Sequence, residues 1–458
     1  MLQTRGAVDF TQGSIVRNII VFSMPIVMGE LLQNLYNSVD ALVVGNFAGK
    51  TALAAVTVGG VISNMVVMFF NGMSVGANVT ISKAYGQGDT DVLRRKVRIA
   101  YTFSLLLGVL FSLFGILLTP QLLEMAGTRA EYFAEALTYL RIYLAGLMFT
   151  VIYNNAAGIL RAIGDSRTPF YILVIACGVN IALDVLLTGW LRMGVTGVAL
   201  ATVGSQGLST FLAYRAIARS LSTRCVDFRE MFRQGGDTVR EILGVGMAAG
   251  VQSALIGISN IFVTRYMNMF STSAVAGIGI AQRIDRFVIL PAKSFGITMT
   301  TYVSQNIGAG CFDRVREGMK RCLATALGVT LSLSAAVYIF APQCVSLFNS
   351  DPEVVSVGAD MAHVLAMAFW VMAVREVLLG YLRGHGRSFT PMVLSLIGMI
   401  GVRQAYLAIT FFFDKPLIAR LYYCFPIGWA STTLLLFVYY LLVRNQLRKP
   451  EIEARAAK

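Results

Sequence analysis

Apolar residues fill long blocks along almost the whole chain, and short polar turns break them at regular intervals. Blocks of about twenty or more apolar residues predict helices that cross a bilayer. The pattern predicts twelve, over 15–45, 52–81, 96–119, 131–158, 168–190, 195–219, 238–268, 273–303, 316–340, 353–381, 391–413 and 417–443. Several exceed the roughly 20 residues that one crossing needs, so they tilt or project beyond it. The connections are short except for 220–237, STRCVDFREMFRQGGDTV, which is polar and lies between the sixth and seventh helices.

The pattern also repeats, with a constant offset of 222 residues. GILRAIGDSRTP (158–169) aligns with GYLRGHGRSFTP (380–391). The same shift pairs Ser82, Gly86, Gly88 and Asp91 with Ser304, Gly308, Gly310 and Asp313, and Pro120-Gln121 with Pro342-Gln343. Each copy holds six spans, and an even number makes both copies enter the membrane from the same side. The expected fold is therefore an all-α polytopic membrane protein. Its two six-helix lobes are related by a pseudo-twofold axis along the membrane normal, with a cavity between them. The divisions predicted are an N-terminal lobe over 1–219, a cytoplasmic inter-lobe linker over 220–237, and a C-terminal lobe with a cytoplasmic tail over 238–458.

Composition agrees with a membrane chain: of 458 residues, 56% are hydrophobic and 14% charged, against about 25% charged in a soluble domain. Residues 1–13 are polar and lead into the first span, so no cleavable signal peptide is evident. The net charge of +14 does not imply nucleic acid. With both termini cytoplasmic, Lys and Arg gather in the inner segments, at Arg94, Arg95, Lys96, Arg98, Arg161, Arg224, Arg229 and Arg233 among others, as topology requires. The six cysteines are scattered with no CxxC pair, which suggests neither a metal site nor a disulfide framework. His363 and His385 are the only histidines, and no HExxH, GxSxG or P-loop motif occurs, so an enzyme is not expected.

The repeat blocks carry a resemblance. The paired GxLRxxG…TP segments, the GQGD and GAGC turns after spans two and eight, SMP…YNSVDALVVG in span one and NIALD in span five resemble the multidrug and toxic compound extrusion (MATE) family over roughly 10–445. Within that family the likeness is to the DNA-damage-inducible-protein-like branch of bacteria and archaea. Pro25 and Gly29 match the family's span-one proline and glycine, where that helix can bend.

Asp184 is the one charge between Phe170 and Trp190. A carboxylate at a helix centre costs about 2.5–3.5 kcal/mol on the insertion scale, so it is kept mainly where it faces protein or a wet cavity. Asn180 lies one turn earlier on the same face. Span one carries a polar stripe that includes Glu30, Gln33, Asn37 and Asp40, with Tyr36 a turn before Asp40, and span six offers Thr202 and Gln206. Asp40, Asp184 and Thr202 all fall about 7–11 Å below the outer surface at 1.5 Å per residue. The resemblance points the same way, matching Asp40, Asn180, Asp184 and Thr202 to a first-lobe cation site. Two close carboxylates share a proton or hold a cation between them, so the coupling ion expected is H⁺ or Na⁺, with no other cofactor and no metal. Gln33, Tyr36, Asn37, Asn154 and Gln206 are candidates for the substrate cavity.

The second lobe departs from this. The offset sends Asp40 to Phe262, Asn180 to Val402 and Asp184 to Tyr406, so the acid site belongs to the first lobe alone. Lys293, Arg375, Glu376 and Arg403 instead form an expected charged network that stabilises the lobe. Arg375 and Glu376 are adjacent and point about 100° apart, which predicts partners on other helices rather than each other. The function expected is efflux of small, mostly cationic amphipathic compounds by antiport with H⁺ or Na⁺, from a monomer in the cytoplasmic (inner) membrane. A lipid-linked oligosaccharide flippase is the alternative.

Overall fold

The computed structural model describes residues 7–47, 49–413 and 417–456, with side chains except at 37, 38, 40, 41, 413 and 448–456. The described residues form seventeen α-helices and two π turns, with no strand. The first half holds α1 (Ile15–Phe47), α2 (Gly49–Gln87), α3 (Thr90–Met125), α4 (Ala130–Ala145), α5 (Leu147–Ala162), α6 (Arg167–Asp184) with a π turn over Val185–Trp190, and α7 (Gly194–Leu221). A short α8 (Phe228–Gln234) follows in the connecting segment. The second half holds α9 (Gly236–Met267), α10 (Thr272–Gly308), α11 (Phe312–Ile339), α12 (Ala341–Ser346), α13 (Pro352–Ala366), α14 (Phe369–Gly384), α15 (Phe389–Leu396) with a π turn over Ile397–Val402, α16 (Arg403–Phe413) and α17 (Ile418–Ala456).

Nine of these segments are long and apolar enough to span a membrane singly. Two bent pairs add two more, α4 with α5 at 44° and α13 with α14 at 48°. The 37-residue α10 is the twelfth rod, and it carries Arg283, Asp285, Arg286 and Lys293 along its length.

The 222-residue offset is exact in the helix limits. It carries α5 onto α14 at both ends, and the starts of α3, α4 and α6 onto those of α11, α13 and α15. The turns repeat with their conformations. Gly164 and Gly386 stand at φ 87° and 81°, a left-handed backbone open to glycine at little cost. The hydroxyls of Ser82 and Ser304 donate to the carbonyls of Ala162 and Gly384, each 80 residues on.

One compact unit takes Met1–Asp9 and Met28–Gly250, and the other takes Phe10–Val27 and Val251–Lys458. Both α1 and α9 therefore change unit part-way along, at change points 223 residues apart, within one residue of the repeat offset. In the first unit, α2, α3, α5 and α7 bury a core that includes Ile81, Val97, Ile159, Leu160 and Ile217. The connecting segment joins this core through Cys225 and Val226. Arg98 holds α8 in place by a fork of hydrogen bonds to Glu230 at 2.5 and 2.6 Å. In the second unit, Ile278, Phe369, Met372, Met399, Leu407 and Trp429 belong to one buried cluster.

Candidate functional site

Asp165 starts α6 by accepting hydrogen bonds from the backbone N–H groups of Arg167 and Thr168 and from the Thr168 hydroxyl. From there the helix reaches Asp184 and relaxes into the π turn. Such turns carry one extra residue and gather at functional sites. Asn180, Asp184 and Thr188 follow at four-residue steps on one face, each 1% exposed.

That face meets α7. A Cβ on Gly204 would lie 3.5 Å from the Leu183 side chain, and one on Gly197 would lie 2.8 Å from the Thr188 hydroxyl. Close approach here rests on those two glycines. On α7, Thr202, Ser205 and Ser209 are buried. The Thr202 hydroxyl donates to the Val198 carbonyl at 3.0 Å, which leaves its lone pairs to accept. Among the described residues, both polar atoms of the Asn180 amide, the Thr188 hydroxyl and Oε1 of Gln206 have no hydrogen-bond partner. Each such buried group costs about 1–3 kcal/mol. A carboxylate, an amide oxygen and hydroxyls are hard oxygen donors, able to take a proton or coordinate Na⁺.

Helix α1 runs beside α6 in the same direction. Gly29 faces Leu173 and Phe170, and Phe47 reaches Gly189. Counting between these contacts brings the backbone of residue 40 level with residues 181–184. The side chains of Asp40 and Asn37 lie outside the described residues. Tyr36, Asn154 and Gln206 are half-buried and Gln33 is exposed. Among the described residues, Gln33 and Asn154 make no hydrogen bond to the Asn180–Thr188 row. Pro25 lies within α1 and removes one backbone hydrogen bond there. The change of unit falls between Val27 and Met28, hence between Pro25 and Gly29.

Sequence reasoning missed Thr188, although its spacing from Asp184 was open to view. It also missed the partners of the motif arginines. Arg161 is acted on by the charge of Glu30. Its repeat mate Arg383 donates to Oε1 of Gln252 at 2.8 Å, and Gln252 is the repeat mate of Glu30.

The second lobe corrects one expectation. Arg375 and Glu376 do pair with each other, at 2.6 Å. The guanidinium is long enough to turn back along the helix, and with the Glu376 side chain only 13% exposed little water competes for it. The other Arg375 amine contacts the Met399 sulfur at 3.4 Å. Arg403 donates to Ser259 Oγ at 2.6 Å and to Asn260 Oδ1 at 3.0 Å. Lys293 is exposed on α10, and its charge reaches both Asp285 and Glu376.

The π turns also shift the inward face. In the first lobe Asn180 and Asp184 are buried; in the second, Val402, the repeat mate of Asn180, is 37% exposed and Tyr406, that of Asp184, is half-buried, while Arg403 and Leu407 are buried at 1% and 0%. The π turn at 397–402 precedes these positions, whereas the one at 185–190 follows them. One extra residue turns the helix by about 100°, so Arg403 takes the place that Asn180 holds.

The MatE family model matches twice, over residues 25–186 and 248–408, one match in each half of the repeat. Among curated proteins, the chain is 27% identical over 438 residues to "Probable multidrug resistance protein YoeA" of Bacillus subtilis, covering 94% of each. It is 24% identical to "Probable multidrug resistance protein NorM" of Thermotoga maritima, covering 84% of this chain and 83% of the other. Among solved structures it superposes on a MATE transporter in the straight conformation with TM-score 0.88 and 22% identity, covering 98% of this chain and 100% of that one. It superposes also, at TM-score 0.85 and 23% identity, on a MOP superfamily transporter from Pyrococcus furiosus, described as having a binding pocket of reverse polarity; the match covers 98% of this chain and 99% of the other. With the family model fitting both halves and the fold shared from end to end, the chain belongs to the multidrug and toxic compound extrusion (MATE) family.

Proposed function

We propose that the protein exports small amphipathic compounds, mostly cations, in exchange for H⁺ or Na⁺. The observation that carries this reading is the buried row Asn180–Asp184–Thr188 facing Thr202 on α7. The multidrug names of the relatives support the substrate class. The protein works as a monomer in the cytoplasmic (inner) membrane with both termini in the cytoplasm.

The cation binds Asp184 with Asp40, aided by Asn180 and Thr202. With the cation bound, Asp184 needs fewer protein partners, and α1 responds at its weakest stretch, Pro25–Gly29. Two states that differ in cation affinity link cation entry to substrate exit. Gln33, Tyr36, Asn37, Asn154 and Gln206 contact the substrate.

The test is efflux of a fluorescent cation from everted vesicles, with pH and Na⁺ gradients imposed separately. Asp184→Asn keeps expression and fold and loses gradient-driven efflux by at least tenfold. Wild-type efflux by this variant at saturating gradient would remove Asp184 from the coupling site. The gradient that drives the wild type identifies the ion.

A further inference from the structure

Among the described residues the second lobe encloses three arginines and two acids, and one of those acids, Asp285, answers to Lys293 and Arg286. Arg375, Arg383 and Arg403 lie inside it, and Glu376 is the carboxylate that acts on the first two. Glu376 spends its hydrogen bond on Arg375. Arg383 leans on the neutral amide of Gln252, and Arg403 on the neutral side chains of Ser259 and Asn260. The charged side chain that reaches Arg403 is Arg375, of the same sign. Dipoles orient a buried guanidinium but do not neutralise it.

Two polar atoms point to a ligand. Nε of Arg403 and Nε of Arg375 are buried with no hydrogen-bond partner among the described residues, and Arg403 is 1% exposed. Met399 stands between these side chains. Its sulfur is 3.4 Å from an Arg375 amine, and a Cβ on Gly428 would meet both that sulfur, at 3.4 Å, and Arg403 Cδ, at 3.3 Å. Methionine is the most easily displaced side chain a core can offer. The place in the fold is informative too. Arg403 holds the inward position that Asn180 holds in the first lobe, and Arg375-Glu376 are the repeat mates of Tyr153-Asn154. Where one lobe presents an acid and neutral oxygens, the other presents guanidinium groups.

We infer that the second lobe contains an anion site formed by Arg375 and Arg403 around Met399, which takes the carboxylate or phosphate group of an amphipathic compound. Planar guanidinium groups match such heads in geometry and charge, and the surrounding Phe369, Met372 and Trp429 suit an apolar body. The site stands whether or not the first lobe couples transport to a cation. If both readings hold, the exported compounds include zwitterions.

The experiment uses the purified full chain in maltoside micelles, with Trp190 and Trp370 replaced by Phe so that Trp429 reports on the second lobe. Hexyl phosphate, hexanoate and hexyltrimethylammonium are titrated in turn. The two anions are expected to raise the melting temperature and shift Trp429 emission, and the cation to do neither. Arg403→Met should weaken anion binding by at least tenfold without lowering the ligand-free melting temperature, since it removes a buried charge that lacks a counter-ion. Arg375→Gln, which keeps Arg403 and its bonds, should weaken binding likewise. The inference is overturned if the wild type does not respond to the anions, if it responds equally to the cation, or if both variants bind hexyl phosphate as the wild type does. Nanodiscs of phosphatidylglycerol and of phosphatidylcholine separate two sources of the same head group. Loss of the hexyl phosphate response in the former assigns the site to a lipid, and a response in both assigns it to a solute. Binding needs no gradient, so a protein that binds anions but exports nothing would refute the transport reading and leave this one.

Discussion

Gly296 is one of the glycines through which the second lobe's charged helix, α10, is held closely against its neighbours. A Cβ there would stand 2.9 Å from the carbonyl oxygen of Glu376 and 3.3 Å from its carbonyl carbon and Cβ. Ordinary contacts begin near 3.4 Å, and the obstacle is backbone, which cannot rotate aside. Gly296→Ala therefore forces α10 and α14 apart by about half an ångström. Overpacking of this kind costs about 1–3 kcal/mol, against up to about 1 kcal/mol gained because alanine favours a helix. The net expectation is a loss of about 1–2 kcal/mol. Gly380 faces the Gly296 carbonyl from the other side and meets it more closely still, so Gly380→Ala should lose more. Gly279, on the same α10, has nothing within 4 Å of its Cβ position, and Gly279→Ala should be neutral or stabilising. Melting followed by fluorescence-detected size exclusion in one detergent would rank the three variants. A Gly296→Ala protein as stable as Gly279→Ala would show that α10 and α14 are not in tight contact at Glu376.

Other outcomes follow from single contacts. Glu230→Gln weakens the Arg98 fork across a half-buried site, a loss of about 1 kcal/mol; trypsin should then cut at Arg229 or Arg233 roughly fivefold faster, and an unchanged rate would mean that α8 is held by its apolar contacts. Burial pushes the Cys225 thiol up to about 12, so at pH 7.5 it is almost wholly protonated. A maleimide should label the half-buried Cys311 well before Cys225, and equal labelling would show that the linker opens. Tyr406 donates to the Arg420 carbonyl at 3.1 Å; Tyr406→Phe should cost about 1 kcal/mol and leave the response to cation gradients intact, and loss of that response would move ion coupling into the second lobe.

The helices were legible because turn chemistry marks their ends. Gly88 and Gly310, Gly164 and Gly386 all take positive φ, and each sits in a repeat block that could be aligned by eye. The first-lobe acid was legible for another reason, since a charge in an apolar run has few explanations. The pairing of Arg375 with Glu376 was not. Helical geometry sets the direction of Cβ, but a guanidinium lies several bonds beyond it, and a dry surrounding favours whichever partner is in reach. Gln252 was hidden because a neutral residue in place of Glu30 raises no alarm until the Arg383 contact is seen. Thr188 was passed over because a threonine in an apolar helix is unremarkable until its hydroxyl is found buried and unused.

The displaced π turns bear on how the two halves diverged. A chain that doubles by gene duplication starts with two identical inner faces. Insertion or deletion would change one face, but it would also throw every later helix out of step, and the register from α2 to α15 shows that no such step was taken. Sliding the extra residue of a π turn along its helix alters only the stretch between its old and new positions, and the chain length is untouched. Over residues 403–406 that stretch presents a different set of side chains from 181–184 while the flanking helices stay in place. A gapless alignment of the halves hence assigns equivalent positions wrongly by one residue at this point. An ancestral six-helix unit could thus turn a different set of positions inward in each of its two descendants, and substitution at those positions then sets their polarity.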